Sequence, residues 1–471
     1  SLSGLGTVGS AQVAGTLVAQ AAGPLTVAGD LTLDPGATFA VELNGARSGL
    51  VNVGGDVFVN GALQLTGRNS AGPGEYRFLA ANGTIRGRFD TVSANFAFLD
   101  PSLSYGGSDL TLRLRRNAVA FPDVAQTPVQ QATAGAIEAG GAGNPLYDAT
   151  VKLTPEQALT AFDLLSGEAH AQVLDTIAGV QRNNRWAVRS HLAQTEGTGI
   201  WGESGYADNT VSGDGNAAST RSRGPWLSAG VDFEPYKDVR LGLAGHYGTT
   251  DFNNRARLSS GDINSIGITA YGDWRLGPWR FSGGADYTSH DIDLSRGTAV
   301  GDLSGTARSD TTSWTSGAFA EIAYATKLGD VDIEPFAGVS WTTAQGGSFT
   351  ETGAGAANLV SAGSDYDRTD ADIGLRIGRA WQLNPDWTIK PSLYAAYSRR
   401  LNGDAPSSTH SYAAGMPFTV YGSESGKNTG TVEARLDLAF RQQLDAAVFY
   451  RGSFSSDTQL HIVGGALKIG F

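Results

Sequence analysis

The sequence predicts an all-β membrane protein: a closed, antiparallel barrel of twelve membrane-spanning strands, preceded by a helical linker and a short parallel β-helix. Three observations carry this. Aromatic residues crowd towards the C-terminus, with all nine Trp at or after Trp186 and twelve of the fifteen Tyr at or after Tyr206. That same stretch alternates apolar and polar residues with period two, in segments of roughly 10–15 residues, longer than the usual soluble strand and long enough to cross a bilayer at a tilt. The segments number twelve, starting near residues 198, 224, 238, 262, 278, 308, 330, 366, 386, 428, 443 and 459, and an even number lets the two end strands pair and close the sheet.

Composition agrees. Of 471 residues 64 are Gly and only 17% are charged, which suits many short strands and turns. No run of about 18 apolar residues is present to make a transmembrane helix, but barrel strands cross with alternating residues and need none. The net charge of −12 argues against nucleic acid, whose phosphates require clustered cations. Without Cys, disulfides and thiolate chemistry are excluded. No cofactor or metal site is expected: His170, His191, His246, His290, His410 and His461 show no ligand spacing. Ser1-Leu2-Ser3-Gly4 opens no basic-then-apolar leader, so a signal peptide has been removed or the chain is a fragment.

Residues 1–116 read as tiny strands: Leu25-Thr26-Val27, Leu31-Thr32-Leu33, Phe39 to Leu43, Val51-Asn52-Val53, Val57-Phe58-Val59 and Leu63-Gln64-Leu65. "VAGDLTL" (27–33) returns as "VGGDVFV" (53–59), an offset of 26, and such a period suggests a parallel β-helix. A β-sandwich is the alternative.

Residues 117–197 open with Pro122 and Pro128 and a small-residue stretch, Ala132 to Gly143, read as linker. Thr154-Pro155-Glu156-Gln157 predicts a helix start with Thr as N-cap, Pro at the first position and Gln closing a capping box. Ala158, Leu159, Phe162 and Leu165 then share one face. A second helix is predicted from Glu168 to about Ala193, with Arg182, Arg185 and Arg189 in one basic stripe. By itself such a stripe reads as a solvated face.

In residues 198–471 one strand face is apolar and the other carries full charges. Leu227, Ala229, Val231 and Phe233 alternate with Ser228, Gly230, Asp232 and Glu234. Val432, Ala434, Leu436 and Leu438 alternate with Glu433, Arg435, Asp437 and Ala439. A soluble sandwich shows similar alternation. Trp201, Trp226, Trp274, Trp279, Trp381 and Trp387 fall near segment ends, where interfacial girdles belong. Links such as Leu276-Gly277-Pro278, Leu328-Gly329-Asp330 and Asn384-Pro385-Asp386 are short, whereas Ser295–Thr306 and Gly403–Ser425 read as long loops. The end places Val463, Leu467 and Ile469 on one face and the aromatic Phe471 last.

With these features in hand, the chain resembles type V autotransporters along nearly its whole length. "YRFLAANGTIRGRF" (76–89) and "FDTVSANFAFLDPSLSYGGSDLTLRL" (89–114) look like the autochaperone cap of a right-handed passenger β-helix. "FDLLSGEAHAQ" (162–172) looks like the start of the linker helix. "GPWRFSGGADY" (277–287), "FTETGAGAANL" (349–359) and "IVGGALKIGF" (462–471) are similar to the family's barrel strands. The resemblance implies a translocator in the outer membrane of a Gram-negative bacterium, acting as a monomer. It implies assembly with periplasmic chaperones and the barrel-assembly machinery, which reads Val463, Leu467, Ile469 and Phe471. The chain's own passenger, including residues 1–116, is then displayed at the cell surface, and the linker helix threads and plugs the pore. A twelve-strand lumen is too wide for side chains alone to fill. Arg182, Arg185 and Arg189 inside it would be matched by wall carboxylates, for which Asp232, Glu234, Glu433 and Asp437 are the expected set. Glu203 and Glu351 join them by their place in the family-like strands.

No nucleophile elbow, zinc-protease, Walker or EF-hand motif occurs, so no catalytic residue is expected. Some relatives of this family release their passenger by cyclisation of an Asn in the linker helix. Asn183 and Asn184 are the matching candidates here, in surroundings that depart from that pattern. Two other readings are a surface adhesin stub whose binding part lies upstream and a porin-like diffusion barrel.

Overall fold

Apolar triplets such as Leu25–Val27 and Val51–Val53 are too short to hold themselves, and they stack instead. The computed structural model describes residues 1–67, 71–412, 415–441 and 443–470, and it divides into two compact units. The first is Ser1–Leu165 with two short later segments; the second is most of the chain from Ser166 onward. Each is described by itself.

In the first unit the early strands coil into a parallel solenoid with three sheets. Leu25 sits beside Val51 and Leu31 beside Val57, so the 26-residue offset is one turn of the coil. Later turns are longer, with Val57 beside Ile85. Phe39, Phe78 and Phe89 cluster in the interior, with ring centroids 5.7–6.4 Å apart. One corner is held by a ladder. Asp30 N–H donates to Ser10 Oγ (3.2 Å), Asp56 N–H to Asp30 Oδ1 (2.8 Å), and Thr84 N–H to Asp56 Oδ1 (2.8 Å). These are the Asp positions of the repeated heptads. Gly61 marks another corner: its φ is +75°, and an added Cβ would lie 2.2 Å from the Ala37 carbonyl oxygen of the turn below, so only Gly fits.

The solenoid ends on antiparallel strands. Asp109–Arg116 pairs with both Gly74–Ala81 and Leu99–Tyr105, and this hairpin covers a sheet edge that would otherwise stay open. Four helices follow: α1 (Phe121–Val124), α2 (Pro128–Gly140), α3 (Pro145–Thr150) and α4 (Pro155–Leu165). Phe121 packs on Phe98 and Tyr147. The small-residue stretch read as linker is largely α2. Thr127 caps it, accepting from Gln130 N–H at 3.2 Å, and its alanines favour helix while Val129, Ala134 and Ile137 are buried. The capping box of α4 is present: Gln157 N–H donates to Thr154 Oγ1 (3.3 Å) and Thr154 N–H to Gln157 Oε1 (3.0 Å).

In the second unit, helix α5 (Glu168–Gln194) precedes twelve long antiparallel strands among the described residues. They are β1 (Gly199–Val211), β2 (Thr220–Tyr236), β3 (Val239–Asn254), β4 (Ser259–Leu276), β5 (Trp279–Val300), β6 (Leu303–Tyr324), β7 (Val331–Gly346), β8 (Ser364–Gly378), β9 (Trp387–Asn402), β10 (Asn428–Phe440), β11 (Leu444–Phe454) and β12 (Thr458–Gly470). All twelve start within five residues of the predicted positions. Each pairs with its neighbours, and β1 pairs with β12 from Gly199↔Gly470 to Val211↔Thr458, closing the cylinder.

The two faces divide by parity. Leu241, Leu243 and Tyr247 of β3 are exposed outward, while Arg240, Ala244 and His246 are buried towards the lumen. A soluble protein hides its apolar face; here it is the outer one, as lipid requires. The turns at one end are tight: at the β4–β5 turn Gly277 has φ +59°, as a two-residue hairpin needs. At the other end the β7–β8 and β9–β10 connections are long, and parts of them, Leu359–Ser361 and Ser407–Tyr412, pair with each other. Ser295–Thr306 is not a long loop. β5 and β6 extend through it to a turn at Gly301, where φ is +56°.

Two Trp assignments are also corrected. Trp274, Trp279 and Trp381 are exposed on the outer face, but Trp201 and Trp226 are buried at 5% and 7% exposure. They occupy lumen-parity positions, where Trp201 Nε1–H donates to Tyr271 Oη (2.7 Å).

Candidate functional site: the lumen and its helix

The 27 residues of α5 run through the barrel lumen. Val173, Leu174 and Ile177 of the helix pack on Phe252 and Ile263 of the wall, and Val188 and Leu192 on Trp201 and Phe449; its polar residues are buried as well, so they must find partners on the wall. At its first turn, near the long-loop end, Glu168 accepts from Arg257 Nε (2.8 Å), from Asn254 Nδ2 (3.2 Å) and from Ala218 N–H (2.7 Å). Midway, Gln181 bonds Asp286 and accepts from Thr315 Oγ1 at 3.0 Å. Near the short-turn end, Arg240 of β3 donates to the carbonyls of Leu192 (2.8 Å) and Thr195 (2.9 Å), which satisfies carbonyls left open by the helix end.

The basic stripe is charge-paired, but to other carboxylates than expected. Arg185 is bidentate on Asp286, at 2.9 and 3.0 Å. Arg189 reaches Glu321 (2.6 Å) and Asp372 (2.7 Å). Glu321 also meets Arg280 and Arg376, which share Glu334. Arg182 approaches only Asp175 of its own helix among the described residues, at 4.0 Å.

The expected wall set falls as follows. Asp232 does face α5 but takes His191, whose Nε2 lies 2.6 Å from Oδ2; Tyr271 Oη donates to the other oxygen at 2.7 Å. Glu433 accepts from Trp186 Nε1 at 3.2 Å. Glu203 and Asp437 both engage Arg435 of the wall, at 3.6 and 2.9 Å. Glu234 keeps lumen parity but is exposed at the short-turn end of β2. Asp286, Glu321 and Asp372, the true partners of the stripe, were missed, although each carries the lumen parity of its strand.

Glu351 is not a wall residue. It lies in the β7–β8 connection, where it accepts from Arg296 Nη2 (2.6 Å), His170 Nε2 (2.9 Å) and Leu359 N–H (2.8 Å). Burial opposes its ionisation, but Arg296 and the His170 hydrogen bond outweigh that and hold its pKa below the ordinary carboxylate value. Beside it, the His170 ring stacks on Phe349 at 3.8 Å. His410 Nε2 lies 2.7 Å from the Ser166 carbonyl oxygen. A carbonyl only accepts, so Nε2 carries the proton. Burial, then the neighbouring His170, push the His410 pKa down to about 3.

Asn183 Oδ1 accepts from Arg451 of β11, and Asn184 is buried. Val463, Leu467 and Ile469 project outward from β12; Phe471 lies outside the described residues.

A barrel with a helix through its lumen invites comparison with known proteins. Residues 200–451 match the family described as the autotransporter beta-domain. The chain belongs to that family. Two curated relatives from Serratia marcescens, each named extracellular serine protease, are 26% identical over 81% of this chain and 24% identical over 94%. The chain spans 43% and 49% of their lengths. Among solved structures, the translocator domain of autotransporter NalP from Neisseria meningitidis superposes with a TM-score of 0.51 at 14% identity, covering 65% of this chain and all of that one; this is a likeness of fold. Autotransporter translocators are outer-membrane β-barrels, and this barrel is the translocator for a passenger domain.

Proposed function

We propose that this translocator secretes and anchors its own N-terminal β-helical passenger, holding residues 1–116 at the cell surface of a Gram-negative bacterium. The observation that carries the reading is the fixed seat of α5 in the lumen, bonded to the wall from Glu168 to Thr195. A chain so threaded starts α5 at the long-loop mouth and begins strand β1 at the other. Outer-membrane lipid contacts the outer face, the barrel-assembly machinery and periplasmic chaperones deliver the barrel, and the unit works as a monomer. Residues 1–116 serve as a folding template for passenger lying upstream. The name of the relatives gives no residue of this chain a hydrolytic role, and we assign these residues transport and anchoring.

The test is conductance in planar bilayers. The chain should conduct little with residues 154–195 present and much more after their deletion; a large conductance before deletion would favour a porin. Protease added to whole cells should remove residues 1–116 and leave the barrel. The helix should remain uncut: Asn183 is engaged through its carboxamide oxygen by Arg451, and Glu433 is occupied by Trp186. The purified chain should therefore run at full length on a denaturing gel, and Asn183→Ala should leave that band unchanged. A split at Asn183 that this substitution abolishes would instead establish self-cleavage.

A further inference from the structure

The plug does not fill the lumen. Beside α5 lies a cavity of about 230 Å³, lined by Arg182 and Asn183 of the helix, Asn209 of β1, Trp226 of β2 and Arg451 of β11. A single water needs only about 10–15 Å³ of such space, so the cavity is roomy enough for a small solute. Its chemistry is unusual for this lumen. Arg185, Arg189 and Arg368 also line it, but each is held by carboxylates at 2.6–2.9 Å.

Arg451 differs. It is 2% exposed, its guanidinium lies over the Trp186 ring at 4.4 Å, and one amino group donates to Asn183. Its other amino nitrogen, Nη1, has no hydrogen-bond partner among the described residues. The same holds for Arg182 Nη1, Trp226 Nε1 and Asn209 Oδ1, all buried atoms. Thus three donors, two of them cationic, and one acceptor line one cavity with their hydrogen bonds unmade. A buried donor or acceptor left without a partner is costly, a charged one most of all, unless something in the cavity completes it.

We propose that this cavity binds one small tetrahedral oxyanion, hydrogen phosphate, as a component of the plug. The oxyanion accepts from Arg451, Arg182 and Trp226, and its single O–H donates to Asn209. Charge-assisted bonds of this kind are the strong ones, and the bound anion completes two cations whose neighbouring carboxylates, Glu433 across the strand pair and Asp175 on the helix, leave both Nη1 atoms without a hydrogen bond. Asn183 then has a positioning role: it holds Arg451 so that Nη1 faces the cavity.

The experiment is calorimetric titration of the full chain in detergent with sodium phosphate at constant ionic strength. One phosphate per chain should bind. Arg451→Gln, checked for folding by heat-modifiable migration, should weaken binding at least about tenfold. Sulfate, which has no O–H for Asn209, should bind several-fold more weakly than phosphate. If Arg451→Gln fails to fold, Trp226→Phe removes only the N–H and should still weaken phosphate binding. Absence of binding to the full chain, or equal binding by the variants, overturns the proposal, as does sulfate binding as tightly as phosphate.

Discussion

Arg185 and Asp286 show what a single pair does inside this lumen. Both are almost fully buried, and the bidentate geometry satisfies two donors and both oxygens. Taking two ions out of water roughly cancels their attraction, but removing one strands the other. Asp286→Ala should therefore destabilise the folded barrel by about 3–5 kcal/mol, read as a lower denaturation midpoint in detergent. Replacing both, Arg185→Met with Asp286→Leu, should restore most of the loss; a double variant worse than the single one would mean that the pair itself adds net stability. His410 allows a second prediction. Its pKa falls from 6.5 to about 3 in the folded state, so between those values the unfolded chain binds more protons and stability drops as pH drops. The carboxylate of Glu351 adds stability that is full above its ordinary pKa of 4.5 and fades below it. Acidification from pH 7 to 4.5 should thus loosen the start of α5, seen as lower amide protection at Ala171–Leu174 relative to the intrinsic exchange rate at each pH. His410→Gln, which keeps the N–H donor to Ser166 without titrating, should flatten the response; an unchanged pH profile would place the sensor elsewhere.

The elements were legible in proportion to how local their cause is. The capping box at Thr154–Gln157 and the 26-residue offset of the solenoid are written in neighbouring residues, and both appear as read. Strand starts were legible because lipid outside and a polar lumen inside force a strict period of two. Parity places Trp226 on one face with Ser228 and Asp232, towards the lumen where it is buried, whereas its closeness to a segment end points to the girdle and misleads. The pairing of α5 was not legible. Which wall carboxylate meets Arg189 depends on the rotation and depth of the helix, set by contacts more than 130 residues away in sequence, as with Glu321. Hairpin extension at Ser295–Thr306 was hidden because strand and loop there share polar composition. Among elements, the solenoid interior yields its own prediction. Phe78 is fully buried between Phe39 and Phe89, and Phe78→Ala leaves a cavity that rigid stacked turns cannot collapse. The expected cost is about 3–5 kcal/mol, measured as loss of thermal stability; a cost below about 1 kcal/mol would mean that the turns slide to close the gap.

At the scale of the whole molecule, one chain is built against two solvents, and the same substitution should report on each. Leu5 in the solenoid and Leu243 in β3 are about equally exposed, at 55% and 50%. By surface area alone they are the same kind of residue. Leu5 belongs to a unit whose apolar side chains point inward, so its exposure is to water, and Leu5→Arg should alter stability by less than about 0.5 kcal/mol. Leu243 belongs to an apolar band. Val239, two outward positions nearer the short turns, faces Trp274, and Tyr247 stands two outward positions towards the long-loop end. It therefore sits between aromatic girdles, near the middle of the hydrocarbon layer. An arginine there must be carried into lipid, at about 2–4 kcal/mol for a midplane position. Reversible urea folding into lipid vesicles measures the second value, and thermal melting of the solenoid signal measures the first. In detergent micelles, which deform around a charge more readily than a bilayer does, the Leu243→Arg penalty should shrink. Equal, small effects at both positions would mean that the outer face of the barrel is wetted by water, and the membrane assignment of the whole cylinder would fall with them.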